Sequence, residues 1–117
     1  MSLIVQKYGG TSVGSVERIE AVADKIAAFC EKGHEVVVAV SAMSGETNRL
    51  INLAQEVNDN PNRRELDVLL STGEQVSISL LCMALNKRDI QAKSYTGHQV
   101  RILTDNAFGK ALSLIHI

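Results

Sequence analysis

The run "EVVVAV" at residues 35–40 constrains this chain more than any other stretch. A continuous β-branched segment with no polar alternation reads as a strand covered on both faces, the situation of a parallel sheet. Ahead of it, Val16, Ile19, Ala23, Ile26 and Cys30 recur at helical spacing, and Gly33 closes that helix with Lys32 in its last turn. Ahead of the helix, "LIV" at 3–5 is a short buried strand.

The rest of the chain continues the alternation. A small-residue loop, "SAMSGE" at 41–46, leads into an amphipathic helix carrying Leu50, Ile51, Leu53, Ala54 and Val57. The turn cluster "NDNPN" at 58–62 holds the only proline. From Leu66 to Leu85 the chain is apolar on most sides around Gly73, which predicts one or two helices near the middle of the fold. "IQAKSY" at 90–95 alternates as a third strand, and "VRILT" at 100–104 reads as a fourth. This order predicts an α/β fold, a three-layer α/β sandwich with a largely parallel sheet, without internal repeats or low-complexity linkers.

Composition narrows the function classes. With 12 basic and 13 acidic side chains the formal net charge of −1 offers no electrostatic case for nucleic acid or an anionic membrane. Two Phe, two Tyr and no Trp make a poor stacking platform for single-stranded nucleic acid. No apolar run approaches the roughly 20 residues of a membrane span, and no signal-peptide pattern opens the chain, so a cytoplasmic location is expected. Cys30 and Cys82 read as reduced, buried thiols, and the isolated His34, His98 and His116 predict no protein metal site.

The chemistry lies in two loops and one helix. Directly after the first strand, "KYGGTSVGS" at 7–15 sets a lysine before two adjacent glycines, a threonine and a serine. It is neither a Walker A loop nor a GxGxxG fingerprint. Its parts still suit an anion: Gly9 and Gly10 let backbone N–H groups approach closely, Thr11 and Ser12 add hydroxyls, and Lys7 adds a compact positive charge. A plain turn that starts a helix, with Lys7 solvated, accounts for the same residues. In the second loop Ser41, Ser44 and Thr47 are either ligand-facing hydroxyls or caps for the helix beginning near Glu46. In "LLSTGEQVS" at 69–77, Glu74 sits within an apolar helix, where its carboxylate either reaches solvent or receives a cationic ligand group. In parallel sheets ligands gather beyond the carboxyl ends of the strands, which is where both loops fall.

Taken together, "VQKYGGTSVGS", "VVVAVSAMSGETNRL" and "LLSTGEQVSISLL" resemble, in order and spacing, the bacterial aspartate kinases of the amino-acid kinase fold. The likeness continues through "AKSYTGHQVRILTDNAFGKA" and covers roughly residues 2–111. The resemblance implies ATP-dependent phosphorylation of the side-chain carboxylate of L-aspartate to 4-phospho-L-aspartate, at the head of lysine, threonine and methionine biosynthesis. It implies ATP and L-aspartate as ligands, with Mg2+ carried by the nucleotide. Lys7 matches the family's catalytic lysine. Tyr8, Gly9, Gly10 and Ser41, with Lys7, match its phosphate-contacting stretch. Ser41, Thr47 and Glu74 match its aspartate-binding positions, the glutamate suited to the α-ammonium. Such a division suits phosphoryl transfer, which rests on positioning and charge stabilisation, and the acceptor carboxylate is already ionised at neutral pH.

The chain departs from the family in two places. The second loop usually has a glycine directly after its methionine, where Ser44 stands here. The match ends after "FGKA", so residues 1–111 are expected to form the N-terminal half of a kinase catalytic domain, and residues 112–117, "LSLIHI", a tail foreign to it. The family's further catalytic segments and its regulatory ACT domains have no counterpart in this sequence. Two other readings stay open: a non-catalytic fragment or interaction module of the same fold, and a family kinase for another small substrate such as glutamate or uridylate. A homo-oligomer is compatible with the full-length protein.

Overall fold

A parallel pair of strands and three helices make up the described structure, a computed structural model that covers residues 1–97, 99 and 100. Strand β1 (Leu3–Tyr8) pairs with β2 (Glu35–Val40) in strict register, Leu3 opposite Glu35 and Tyr8 opposite Val40. Helix α1 (Val16–Glu31) connects them. Ser15 caps it by accepting a 3.2 Å hydrogen bond from the Arg18 N–H, and Gly33, at φ 85°, turns the chain back into β2. A positive φ of this kind favours glycine, which explains the helix stop.

One face of the sheet is covered. Val36, Val38, Val40 and Tyr8 pack against Ile19, Val22, Ala23 and Ile26 of α1 and against Leu81, Ala84 and Leu85. The last three belong to α3 (Arg63–Lys87). The opposite face carries Leu3, Val5 and Val37, which are 65 %, 71 % and 53 % exposed, so among the described residues no helix covers it. The α/β class and the parallel sheet match the sequence reading. Of the three layers expected, two are found among the described residues.

Helix α3 is a single element of 25 residues that runs through Gly73 without a break. Its hydroxyls are accommodated within the helix: Ser71, Thr72, Ser77 and Ser79 each donate to a carbonyl three or four residues back. By length and composition α3 is apolar enough to cross a membrane, contrary to the expectation that no segment approaches a span. It nevertheless packs against α1, α2 and β2. Asn62 caps it, accepting from the N–H groups of Arg64 and Glu65.

At its far end α3 is clamped to α1. Lys87 Nζ lies 2.8 Å from Glu20 Oε1, and Arg88 reaches Glu20 Oε2 at 2.6 Å and Asp24 Oδ1 at 2.8 Å. The Lys87 ammonium and the Arg88 guanidinium hold the Glu20 carboxyl below the usual carboxylate range.

Two expectations about elements need correction or fall outside view. "IQAKSY" is not a strand among the described residues, where it has no ladder partner, although Ile90 and Ala92 pack on the core and burial alternates along it. Its period-2 pattern reflects packing on one side, which periodicity alone cannot distinguish from sheet pairing. The strand expected at 100–104 and the tail at 112–117 lie outside the described residues, apart from Val100.

Candidate functional site

Both small-residue loops leave the carboxyl ends of adjacent strands and are fused by hydrogen bonds. The Ser41 N–H donates to the Tyr8 carbonyl at 3.1 Å, and the Ser44 N–H donates to the Gly10 carbonyl at 3.1 Å. The contact is close: a Cβ on Gly10 would lie 2.8 Å from the Ala42 carbonyl oxygen. Gly10 is therefore required by space, not by backbone angle, while a Cβ on Gly9 would meet nothing within 4 Å.

The first loop is held from three sides. Val13 is fully buried and anchors it in the core. The Ser12 N–H closes a turn on the Gly9 carbonyl at 3.1 Å. Arg18 reaches back from α1 and donates to the Thr11 carbonyl at 2.8 Å. Neither Val13 nor Arg18 stood out in the sequence, since an apolar residue and a helix-surface cation are ordinary there.

Lys7 lies in register with Ala39 at the end of β1, exposed, on the uncovered face of the sheet. Tyr8 points the other way. It is half-buried, its hydroxyl donates to Gln6 Oε1 at 2.8 Å, and burial pushes its phenol up from the ordinary value. Toward the loops it offers its backbone carbonyl.

The second loop ends in helix α2 (Glu46–Val57). Its N-cap is Gly45, at φ 82°, with no side-chain cap, so the capping reading of Ser41, Ser44 and Thr47 is not met. Among the described residues the hydroxyls of all three are uncommitted, as are those of Thr11 and Ser12. Glu46 is bound by Arg49, whose Nε donates to Oε2 at 3.0 Å, and the guanidinium holds the Glu46 carboxyl below its usual range.

Helix α3 reaches the loops through Gly73. A Cβ there would lie 2.9 Å from the Ala42 Cβ, 3.6 Å from Glu46 Cγ and 3.7 Å from Leu50 Cδ1. Glu74, the next residue, is exposed beside this contact. Ala42 of the second loop thus touches the first loop at Gly10 and α3 at Gly73, the residue before Glu74, while the start of α2 meets Gly73 through Glu46 and Leu50. Among the described residues no three His, Cys, Asp or Glu side chains converge as metal ligands. A separate open cavity of about 560 Å³, lined by Asp24, Cys30, Glu31, Arg88 and Asp89 among others, lies at the C-terminal end of α1, far along that helix from the loops.

This chain, with a glycine loop and a second hydroxyl loop at the carboxyl end of a parallel strand pair, matches the amino acid kinase family over residues 2–114 and belongs to it. Over 117 residues it is 66 % identical to an aspartokinase of Pseudomonas aeruginosa, covering all of this chain and 28 % of that protein. Over 111 residues it is 55 % identical to aspartokinase 2 of Bacillus subtilis, covering 95 % of this chain and 27 % of that one. A solved structure of aspartate kinase from Synechocystis superposes with a TM-score of 0.77 at 58 % identity, over 80 % of this chain and 16 % of that chain. The chain therefore spans little more than a quarter of the length of these curated relatives.

Proposed function

We propose that residues 1–111 are the N-terminal part of the catalytic domain of an aspartate kinase, which transfers the γ-phosphoryl group of ATP to the side-chain carboxylate of L-aspartate. The observation that carries the reading is the Ala42 junction, where a glycine loop beside Lys7, a hydroxyl loop and the turn bearing Glu74 meet. The 66 % identity to the Pseudomonas aeruginosa aspartokinase supports aspartate over another small acceptor.

In this reading the N–H groups of Gly9 and Gly10 and the Ser41 hydroxyl bind phosphate oxygens, and Tyr8 braces the loop through its carbonyl. Thr47 and Ser41 orient the amino acid, and Glu74 holds its α-ammonium. An oxygen of the ionised acceptor carboxylate attacks the γ-phosphorus as the bond to the leaving ADP breaks, so no proton has to be removed first. Lys7 stabilises the charge spread over the transferring oxygens. Magnesium accompanies the nucleotide's phosphates and neutralises part of their charge. A cytoplasmic biosynthetic role toward lysine, threonine and methionine, without nucleic-acid or membrane partners, belongs to the same reading, as does a homo-oligomeric full-length protein.

The test is a chimera in which residues 1–111 replace the matching segment of the Pseudomonas aeruginosa aspartokinase. Aspartate-dependent release of ADP is expected, and Lys7→Ala should lower its kcat by about 10²–10³-fold, the scale of losing one preorganised electrostatic contact. An inactive chimera, or an unchanged kcat in the variant, refutes the assignment.

A further inference from the structure

The strongest observation outside the assigned site residues is the position of Ala42. It is buried, with its carbonyl oxygen turned to Gly10 and its methyl group turned to Gly73. Both approaches leave no room: a methyl on Gly10 would stand 2.8 Å from that oxygen, and one on Gly73 would stand 2.9 Å from that methyl. The phosphate loop and helix α3 are therefore separated by the thickness of one alanine residue.

We propose that Ala42 is a positioning residue, a spacer whose size sets the distance between the loop that holds the phosphates and the helix turn that presents Glu74. The inference rests on the functional reading above and adds to it a residue that touches neither substrate. Each half of the site is complete without Ala42: the glycine N–H groups belong to the first loop and the carboxylate to α3. What Ala42 controls is their separation, and so the alignment of the acceptor carboxylate with the γ-phosphorus. In-line transfer is steep in this coordinate, because a misplacement of about 1 Å can cost about 10²-fold in rate. The neighbours cannot easily yield, since loop 1 is pinned by the buried Val13 and by the Ser44 hydrogen bond to Gly10.

The test moves one methyl group across the contact. In the active chimera, Gly73→Ala should lower kcat by about tenfold or more while the KM values for ATP and for aspartate each change less than about threefold, because each subsite is intact. Ala42→Gly combined with Gly73→Ala transfers the methyl from one side of the contact to the other, and should return kcat to within about threefold of the parent. A Gly73→Ala variant that keeps its kcat, a double variant as slow as the single one, or a change confined to one KM overturns the proposal. If Gly73→Ala does not fold, the double variant decides alone: folded and active it supports the spacer, unfolded or inactive it refutes it. If the parent chimera is inactive, the functional reading has failed. The spacer is then judged by thermal melting of the 117-residue chain, where the double variant must recover about half or more of the single variant's loss.

Discussion

Replacing Gly10 by alanine tests the junction at its tightest point. The new Cβ would sit 2.8 Å from the Ala42 carbonyl oxygen, well inside the 3.4 Å at which ordinary contact begins, and the atom it meets is backbone. Forcing a methyl into a packed contact costs about 1–3 kcal/mol. The shift that relieves it also stretches the 3.1 Å hydrogen bond from the Ser44 N–H to the Gly10 carbonyl. Such a bond contributes about 0.5–1.5 kcal/mol. Together the loss is about 2–4 kcal/mol, a large share of the roughly 5–15 kcal/mol that holds a domain folded. For a domain of this size that lowers Tm by on the order of 10–25 °C. Gly9→Ala is the control: its Cβ meets nothing within 4 Å and its φ is not positive, so it should melt at or slightly above the parent. Thermal denaturation followed by circular dichroism at matched concentration reads both. Equal melting of Gly10→Ala and the parent, or equal loss in the two variants, would refute the steric account of Gly10.

Glu74→Gln in the chimera should raise the KM for aspartate far more than that for ATP, since a neutral amide replaces the charged partner of the α-ammonium; steady-state kinetics with each substrate varied would expose an equal effect on both. The Glu20 carboxyl is depressed by Lys87 and Arg88, so its contribution to stability is present above the unfolded carboxylate pKa and is lost as pH falls through its lower folded value. Tm should accordingly drop on acidification below about pH 5, and drop less steeply in Glu20→Gln; parallel pH profiles would show that the clamp is not coupled to folding. Residues 1–117 alone should release no ADP above background with aspartate and bind ATP weakly at most, because most of the alignment on which transfer depends is missing from a half site; turnover at the rate of the chimera would contradict that.

Where the sequence was readable and where it was not divides along the reach of the interactions. Strand β2 was legible as a parallel strand from "EVVVAV" and helix α1 from the spacing of Ile19, Ala23 and Ile26, but the expected cover on both faces of β2 is found on one only among the described residues, Val37 being 53 % exposed. The segment 90–95 misled because its pattern reports local burial: Ile90 and Ala92 face the core and Gln91 and Lys93 do not, yet strand pairing depends on a partner remote in sequence. In α3, Gly73 looked like a break, whereas it is the point at which α2 and the second loop come closest. The candidate loops could be found from "KYGGTS" and "SAMSGE", but that one alanine joins them to α3 is a tertiary fact. Cap preference pointed to Ser or Thr at the start of α2, and the left-handed Gly45 took that place instead, leaving the hydroxyls uncommitted.

The uncovered face of the sheet has a consequence for synthesis. β1, α1 and β2 are all made within the first 40 residues, so this unit can form early while Leu3, Val5 and Val37 still face water. This chain spans about 28 % of the Pseudomonas aeruginosa relative, so in the N-terminal place proposed for it most of the polypeptide would follow it off the ribosome. At about 5–20 residues per second, each further hundred residues takes about 5–20 s. Throughout that interval a nascent chain of this kind would present an apolar strand face, the kind of surface that chaperones shield and that neighbouring nascent chains can stick to. Lys7 lies on that same face, so the residue proposed to act on phosphate would also be a charged gatekeeper beside Val5 before any substrate is met.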